Sequence, residues 1–137
     1  MADQELIDGL NRALNREIST FLRYMLQAAS IKGAAWDSVR SSYLAEVQDE
    51  MGHAQYLANT IVMLGGTPKL APDLAPPPSD PQQMLRNDIE EEHVDTEGYV
   101  KLANLAEKHG IYDLKLKMEE QAADEAAHAQ QMQRLLG

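Results

Sequence analysis

The sequence has 137 residues, of which 44% are hydrophobic and 25% are charged, as is typical of a globular protein with one contiguous core. It contains no cysteine, which excludes disulfide bonds, thiolate metal sites and cysteine nucleophiles. The formal net charge of −10 argues against a nucleic-acid partner and suits a protein that collects small cations, although an acidic surface is more often simply solvated.

The N-terminal residues are acidic and polar, without the basic and apolar pattern of a secretion signal. No stretch approaches the roughly 18–20 apolar residues that a membrane-spanning helix needs. We therefore expect one domain over residues 1–137, without a membrane segment, in the cytoplasm.

A hydrophobic period of about 3.6 residues predicts four long helices, whereas strand signals are nearly missing. The expected ranges are about 3–31, 37–64, 81–109 and 112–136. Gly33 is expected to cap the end of the first helix in the left-handed α conformation. Asp37 is expected to cap the start of the second helix, and Asp80, followed by Pro81, the start of the third.

The connections between the predicted helices indicate their arrangement. Short turns join the first helix to the second and the third to the fourth, so each pair is expected to form an antiparallel hairpin. Residues 65–79 connect the hairpins and contain five prolines. Fifteen extended residues reach about 50 Å, enough to run the length of a helix of about 42 Å. The sequence therefore predicts an all-α four-helix bundle with one long crossover between the second and third helices.

Ionisable residues interrupt the apolar inward face near the middle of the predicted helices. These residues are Glu17 in the first helix, Glu46, Glu50 and His53 in the second, Glu92 in the third, and Glu125 and His128 in the fourth. A buried carboxylate without a partner is very costly, and no Lys or Arg occupies the same inward positions. Two divalent metal ions would supply the compensating charge.

The spacing of these residues repeats along the chain. Glu50 follows Glu17 by 33 residues and Glu125 follows Glu92 by 33, while a histidine follows each of Glu50 and Glu125 by three. The chain is thus a weak internal duplication with an offset of 75 residues. Residues three apart share a helix face, so each Glu-x-x-His can direct an oxygen and a nitrogen toward one site. Such mixed ligands suit iron or manganese, and zinc and copper are compatible from chemistry alone.

At these residues the chain resembles the ferritin-like di-iron carboxylate proteins, and bacterioferritin most closely. The resemblance covers nearly the whole chain and is clearest at residues 14–17, 49–54, 84–88 and 124–128. It implies that Glu50 and Glu125 bridge two iron ions, and that Glu17 with His53, and Glu92 with His128, complete their ligand shells. It also implies oxidation of Fe²⁺ by dioxygen or peroxide, followed by storage as ferric mineral.

The resemblance extends to Met51, directly after the first bridging glutamate. In bacterioferritins this methionine ligates haem b across a two-fold dimer interface, which implies a homo-oligomer of at least two subunits. A methionine that only fills a packing gap is an equally good explanation. Bacterioferritins also carry a short fifth helix that helps to close a shell of 24 subunits, and this sequence ends at Gly137. The expected assembly therefore ranges from a dimer to a cage, and mineral storage stays open.

Several residues near the predicted ligands have two interpretations. Tyr24 resembles a family tyrosine that can donate an electron to the iron site, but a hydrogen-bonded core tyrosine is equally consistent. Glu46 could accept or relay iron, or lie on a partly solvated helix face. Asp49 and Asp124 could orient metal ligands as outer hydrogen-bond acceptors. His93 is expected at the surface.

Two other functions are compatible with the sequence. One is a peroxide-reducing di-metal protein of the rubrerythrin or manganese-catalase kind, and the other is a haem- or metal-binding bundle without enzymatic activity. The absence of cysteine counts against a rubredoxin-like electron donor within this chain. The identity of the metal, and a comparison of dioxygen with peroxide as oxidant, would separate these alternatives from a ferroxidase.

Overall fold

The computed structural model describes residues 3–137, which form four α-helices and no strand. Helix α1 spans Gln4–Ser30, α2 spans Asp37–Met63, α3 spans Pro81–Lys108 and α4 spans Tyr112–Leu136. These bounds agree with the predicted ranges to within one or two residues, which confirms the all-α fold. None of the helices formed by residues 3–137 has both the length and the apolar character needed to cross a membrane.

Aspartate side chains cap the starts of two helices, and the cap at Asp80 is the one that the sequence predicts. The Asp3 carboxylate accepts a hydrogen bond from the backbone N–H of Glu5 at the start of α1. The Asp80 carboxylate accepts one from the backbone N–H of Gln83 at the start of α3, and Pro81 is the first helical residue. Both caps satisfy backbone donors that have no partner inside the helix.

The prediction for the turn between α1 and α2 is wrong in detail. A 3₁₀ turn, Ala34–Trp36, precedes α2, and Asp37 is the first helical residue rather than its cap. Gly33 has φ 96° and ψ 147°, a conformation that favours glycine but lies outside the left-handed α region. The 3₁₀ residues wind the chain into α2, so no side chain caps the start of that helix.

The bundle consists of two hairpins packed against each other. Helix α1 packs on α2 and α3 packs on α4, while contacts of α1 with α3 and of α2 with α4 join the hairpins. The apolar core is divided into two clusters. One cluster includes Leu10, Leu57 and Met118, and the other includes Tyr24 and Met132. The predicted ionisable residues lie between them.

The long crossover, residues 64–80, connects α2 to α3, as the sequence predicts, and the structure shows that it runs along α1 in the same direction as that helix. Three polar residues spaced four apart on α1, Asn11, Asn15 and Ser19, hold its backbone. The hydrogen bonds are Asn11 Nδ2 to Thr67 O (3.1 Å), Lys69 N to Asn11 Oδ1 (2.8 Å), Asn15 Nδ2 to Lys69 O (2.9 Å), Ala71 N to Asn15 Oδ1 (2.6 Å) and Asp73 N to Ser19 Oγ (2.7 Å). They satisfy backbone groups in a segment that forms no helix or sheet.

Candidate metal centre

Six buried side chains, contributed by all four helices, converge between the two core clusters. They form two groups of donor atoms, and within each group the atoms lie within 4.8 Å of one another. The first group comprises Glu17, Glu50, His53 and Glu125, and the second comprises Glu50, Glu92, Glu125 and His128. Glu50 and Glu125 therefore belong to both groups. The structure brings together all six residues that the sequence singles out as ligands.

In the first half of the centre, His53 directs its two ring nitrogens in different directions. Its Nδ1 lies 2.9 Å from Glu17 Oε2 and 3.3 Å from Glu125 Oε1, inside the cluster. Its Nε2 lies 2.9 Å from Asp124 Oδ2, at the edge of the bundle. When the ring is neutral, as a metal ligand must be, a proton kept on Nε2 by the Asp124 carboxylate leaves the Nδ1 lone pair directed inward.

His128 repeats this arrangement in the second half. Its Nδ1 lies 3.2 Å from Glu50 Oε1 and 3.5 Å from Glu92 Oε2, and its Nε2 lies 2.9 Å from Asp49 Oδ2. An acidic partner on the outer nitrogen fixes the tautomer and orientation of an imidazole and increases its basicity toward a metal. The geometry agrees with the orienting role expected for Asp49 and Asp124.

Glu17, Glu50 and Glu125 favour their protonated forms when no cation is near. Burial, and then the repulsion of Glu125, raises the pKa of Glu17 well above its ordinary value. Burial and the charge of Glu17 raise the pKa of Glu50 in the same way. Burial raises the pKa of Glu125 to about 10, despite the opposing hydrogen bond with His53. A bound cation would replace these protons.

The pKa values of the two imidazoles are also raised, although burial by itself would lower them. Burial alone would lower the pKa of His53, but the hydrogen bond and the charge of Glu125 outweigh it and raise that pKa to about 9. The pKa of His128 is also raised, chiefly by its contacts with Glu50 and Glu92, against the effect of burial. A bound cation would therefore displace protons from these rings as well.

The donor set has the chemistry of a metal site. Across residues 3–137, the cationic groups nearest to the oxygens of Glu50 and Glu125 are the Nδ1 atoms of the two histidines at 3.2–3.5 Å, and no Lys or Arg forms a salt bridge with any of the six residues. Buried carboxylate oxygens without partners are costly unless a cation compensates them. Four carboxylates and two imidazoles are oxygen and nitrogen donors that suit iron or manganese.

The two halves differ in their tyrosines. The hydroxyl of Tyr24 donates a hydrogen bond of 2.6 Å to Glu92 Oε1. The hydroxyl of Tyr99, 75 residues later, has no hydrogen-bond partner in the described part of the chain, and its ring packs edge-on against His53 with centroids 6.1 Å apart. Burial raises the pKa of both phenols well above the usual value. Tyr24 is therefore coupled directly to a predicted ligand, whereas Tyr99 contributes packing.

Two buried aspartates beside the centre are not predicted by the sequence pattern. Asp88 and Asp95 on α3 form ion pairs with Arg23 (2.9 Å) and Arg16 on α1, and Asp88 also accepts a hydrogen bond from Tyr43 (2.7 Å). The signal that could have found them is the matched spacing, since both the arginines and the aspartates are seven residues apart. These ion pairs engage Arg16 and Arg23 elsewhere and bring neither guanidinium to the six clustered residues.

Three further predictions concern the helix faces. Glu46 is only 4% exposed, so the partly solvated face considered for it is wrong, and burial raises its pKa to about 8. Met51 is 46% exposed and points away from the clustered ligands, as its position off the inward face predicts. His93 is exposed, as expected.

Comparison with known proteins points to ferritin-like proteins. The family described as "Ferritin-like domain" matches residues 7–137. A bacterial ferritin from Pseudomonas aeruginosa is 28% identical over 134 residues, which cover 97% of this chain and 87% of that protein.

Two solved structures share the architecture. A ferritin-like, diiron-carboxylate protein from Bacillus anthracis has 34% identity and a TM-score of 0.94, with complete coverage of both chains. A dodecameric thioferritin, the bacterioferritin-related protein of Bacteroides fragilis, has 26% identity and a TM-score of 0.83, covering 97% of this chain and 84% of that one.

Proposed function

Because the chain belongs to the family of ferritin-like domains, we propose that it is a ferroxidase, which binds two iron ions between its helices and oxidises Fe²⁺. The observation that carries the proposal is the pair of donor groups that share Glu50 and Glu125. Two groups with common carboxylates fit two metal ions held side by side. A single metal ion in one group would leave the glutamate and the histidine that belong only to the other group without a cation.

Each residue has a distinct part in this proposal. Glu17 and His53 would hold one iron ion, and Glu92 and His128 would hold the other. The shared carboxylates, Glu50 and Glu125, would bind both ions. Iron bound there would supply the one-electron chemistry by which dioxygen or peroxide is reduced.

The protein's own contribution is orientation and proton balance. Asp49 and Asp124 keep the imidazole Nδ1 atoms directed inward, and the cluster gives up its protons when cations enter. The surrounding apolar clusters limit the access of water to the centre.

The comparisons favour iron over manganese in this proposal. The Bacillus anthracis protein carries the description "diiron-carboxylate" and the Pseudomonas aeruginosa relative is called a bacterial ferritin. Both descriptions support iron as the metal here and iron storage as the wider role, and manganese remains chemically compatible with the donors.

Haem b and a homo-oligomer form a secondary part of the proposal. The Met51 thioether is exposed on α2, where it could ligate haem together with the same residue of a second copy. The Bacteroides fragilis protein is described as a dodecamer, which supports an assembly of subunits. A red protein with a bis-methionine haem spectrum that is lost in Met51→Leu would support this part. A dimer that stays colourless after incubation with haem would contradict it.

The experiment that tests ferroxidase activity is stopped-flow oxidation of Fe²⁺ added to the metal-free protein. We expect Glu50→Ala and Glu125→Ala to abolish the rapid phase while circular dichroism still reports a helical bundle. Glu119→Ala, which removes an exposed carboxylate from α4, is the matched control and should keep the wild-type rate. Unchanged rapid oxidation in both bridging variants would overturn the proposal.

The same experiment separates the oxidants. Oxidation by dioxygen at a rate equal to or above that by peroxide supports a ferroxidase. Rapid oxidation by peroxide alone would instead support the peroxide-reducing alternative.

A further inference from the structure

At one buried position beside the metal centre, the internal duplication of the chain pairs a carboxylate with an amide. With an offset of 75 residues, the predicted ligands match in type between the two hairpins, as do the outer aspartates and the tyrosines. Glu46, however, corresponds to Gln121. Both side chains are buried, with exposures of 4% and 1%. A carboxylate on one side of the centre is therefore replaced by a neutral amide on the other.

The helix register assigns each of these residues to one half of the centre. On α2, Glu46 and His53 lie on opposite sides of Glu50 along the helix axis, so Glu46 lies toward the half formed by Glu92 and His128. This placement agrees with the surface, where Glu46 and His128 line the same depression. On α4, Gln121 and His128 lie on opposite sides of Glu125, which puts Gln121 toward the half formed by Glu17 and His53.

The two side chains present different chemistry to a cation. Among the described residues, Glu46 Oε2 has no hydrogen-bond partner, and neither do the amide oxygen and nitrogen of Gln121. The free carboxylate oxygen can attract a divalent cation. The amide has no net charge, and its nitrogen is only a donor, so it adds little attraction for a cation.

The surface over the two halves also differs. The depression beside Glu46 and His128 is lined by small and polar residues, namely Asp37, Ser38, Ser41, Ser42, Ala45, Ala127 and Gln131. With the same offset of 75, Ser42 corresponds to Lys117 and Ala45 to Glu120. Lys117 Nζ lies 5.3 Å from the centroid of the Tyr56 ring and 3.5 Å from Glu120 Oε1. A lysine and glutamate pair thus stands at the positions that one serine and one alanine occupy on the other side.

We infer that the two halves of the centre bind divalent cations unequally, and that the half formed by Glu92 and His128 fills first because Glu46 adds a carboxylate there. This inference rests on the proposed function only in that the six clustered residues must bind metal. One additional negative charge near the cation should favour this half by about tenfold or more in affinity. Glu46 is thereby a specificity-determining residue for the order of metal binding.

The test is a titration of the metal-free protein with Zn²⁺, followed by NMR of ¹⁵N-labelled imidazoles. The sequence has four histidines, and replacing each in turn assigns the signals of His53 and His128. We expect the His128 signals to reach their final positions at about one Zn²⁺ per chain and those of His53 between one and two. In the exchange variant E46Q/Q121E, which conserves total charge, the order should reverse.

Two single variants and a control complete the design. E46Q, an isosteric change, should bring the two stepwise affinities in calorimetry to within about threefold, and E119Q, on the exposed face of α4, should leave the wild-type order intact. If the NMR signals of His53 and His128 shift together in the wild type, or if E46Q keeps the wild-type order of metal binding, the inference is overturned. The ferroxidase proposal would remain in place. A protein whose four histidine signals ignore Zn²⁺ would overturn both.

Discussion

The imidazole of His53 is hydrogen-bonded to Asp124, with 2.9 Å between Nε2 and Oδ2, although the two residues are 71 positions apart and belong to different hairpins. His128 is paired with Asp49 in the same way across 79 positions. Each aspartate directly precedes a carboxylate shared by both donor groups. The hairpins therefore exchange these contacts, and each orients the histidine of the other.

We predict that Asp124→Asn weakens Zn²⁺ binding by about 10–100-fold, because an amide no longer fixes the tautomer of His53 or increases its basicity. Competition with a chromophoric chelator would measure the affinity. Asp49→Asn should give a comparable loss through His128, and Asp113→Asn, an exposed change on α4, should give none. Equal affinities for all four proteins would show that these hydrogen bonds do not support metal binding.

We predict that the metal-free protein becomes less stable as the pH rises from about 5 to 9. The folded-state pKa values of Glu125 (about 10), Glu46 (about 8) and His53 (about 9) all exceed the ordinary values of 4.5 and 6.5. The folded state thus holds more protons than the unfolded state in this range, so raising the pH favours unfolding. For His53, the stabilisation is complete below pH 6.5 and is lost as the pH passes about 9.

Thermal unfolding at pH 5.5, 7 and 8.5 would check this dependence. Saturating Zn²⁺ should raise the melting temperature most at pH 8.5, because the cation binds only the folded cluster and replaces the missing protons. Glu125→Gln should make the metal-free profile flatter, since the amide does not titrate. A melting temperature that increases with pH in the metal-free wild type would refute the predicted sign.

We predict that Tyr24→Phe costs about 1–3 kcal/mol of unfolding free energy in the metal-free protein, because Glu92 Oε1 loses its buried hydrogen-bond donor. Tyr99→Phe provides the matched comparison. The Tyr99 hydroxyl makes no hydrogen bond within residues 3–137, so its removal should change stability by less than about 0.5 kcal/mol or increase it slightly. Urea unfolding would measure both values, and equal losses would contradict the asymmetry of the two tyrosines.

We predict that Asn11→Ala destabilises the protein by about 1–2 kcal/mol, because the Asn11 side chain makes two hydrogen bonds to the crossover. Hydrogen exchange should quicken at the amide of Lys69. The control is Asn87→Ala, which removes an exposed contact with Gln83 on α3 and should leave that exchange rate unchanged. Protection of Lys69 that survives in Asn11→Ala would mean that the crossover is held mainly by its other contacts.

The sequence by itself determined the helices, the hairpins and the six clustered residues. These features depend on local periodicity, since residues three or seven apart share a helix face, and a cap or a proline limits a helix wherever it lies. The repeated spacing between Glu17 and Glu50, and between Glu92 and Glu125, then identifies four inward carboxylates. The length and the prolines of residues 64–80 predict the crossover in the same local way.

Only the tertiary structure decided which residue partners which across the bundle. The pairing of Asp124 with His53, the burial of Asp88 with Arg23, and the hydrogen bond of Tyr24 to Glu92 all join residues more than 60 positions apart. Helical periodicity gives the direction of a side chain from its own axis, but not the rotation and offset of the neighbouring helix. The rotation and offset of each helix are set by how the four apolar faces pack together. This packing decides which ionisable groups share the centre.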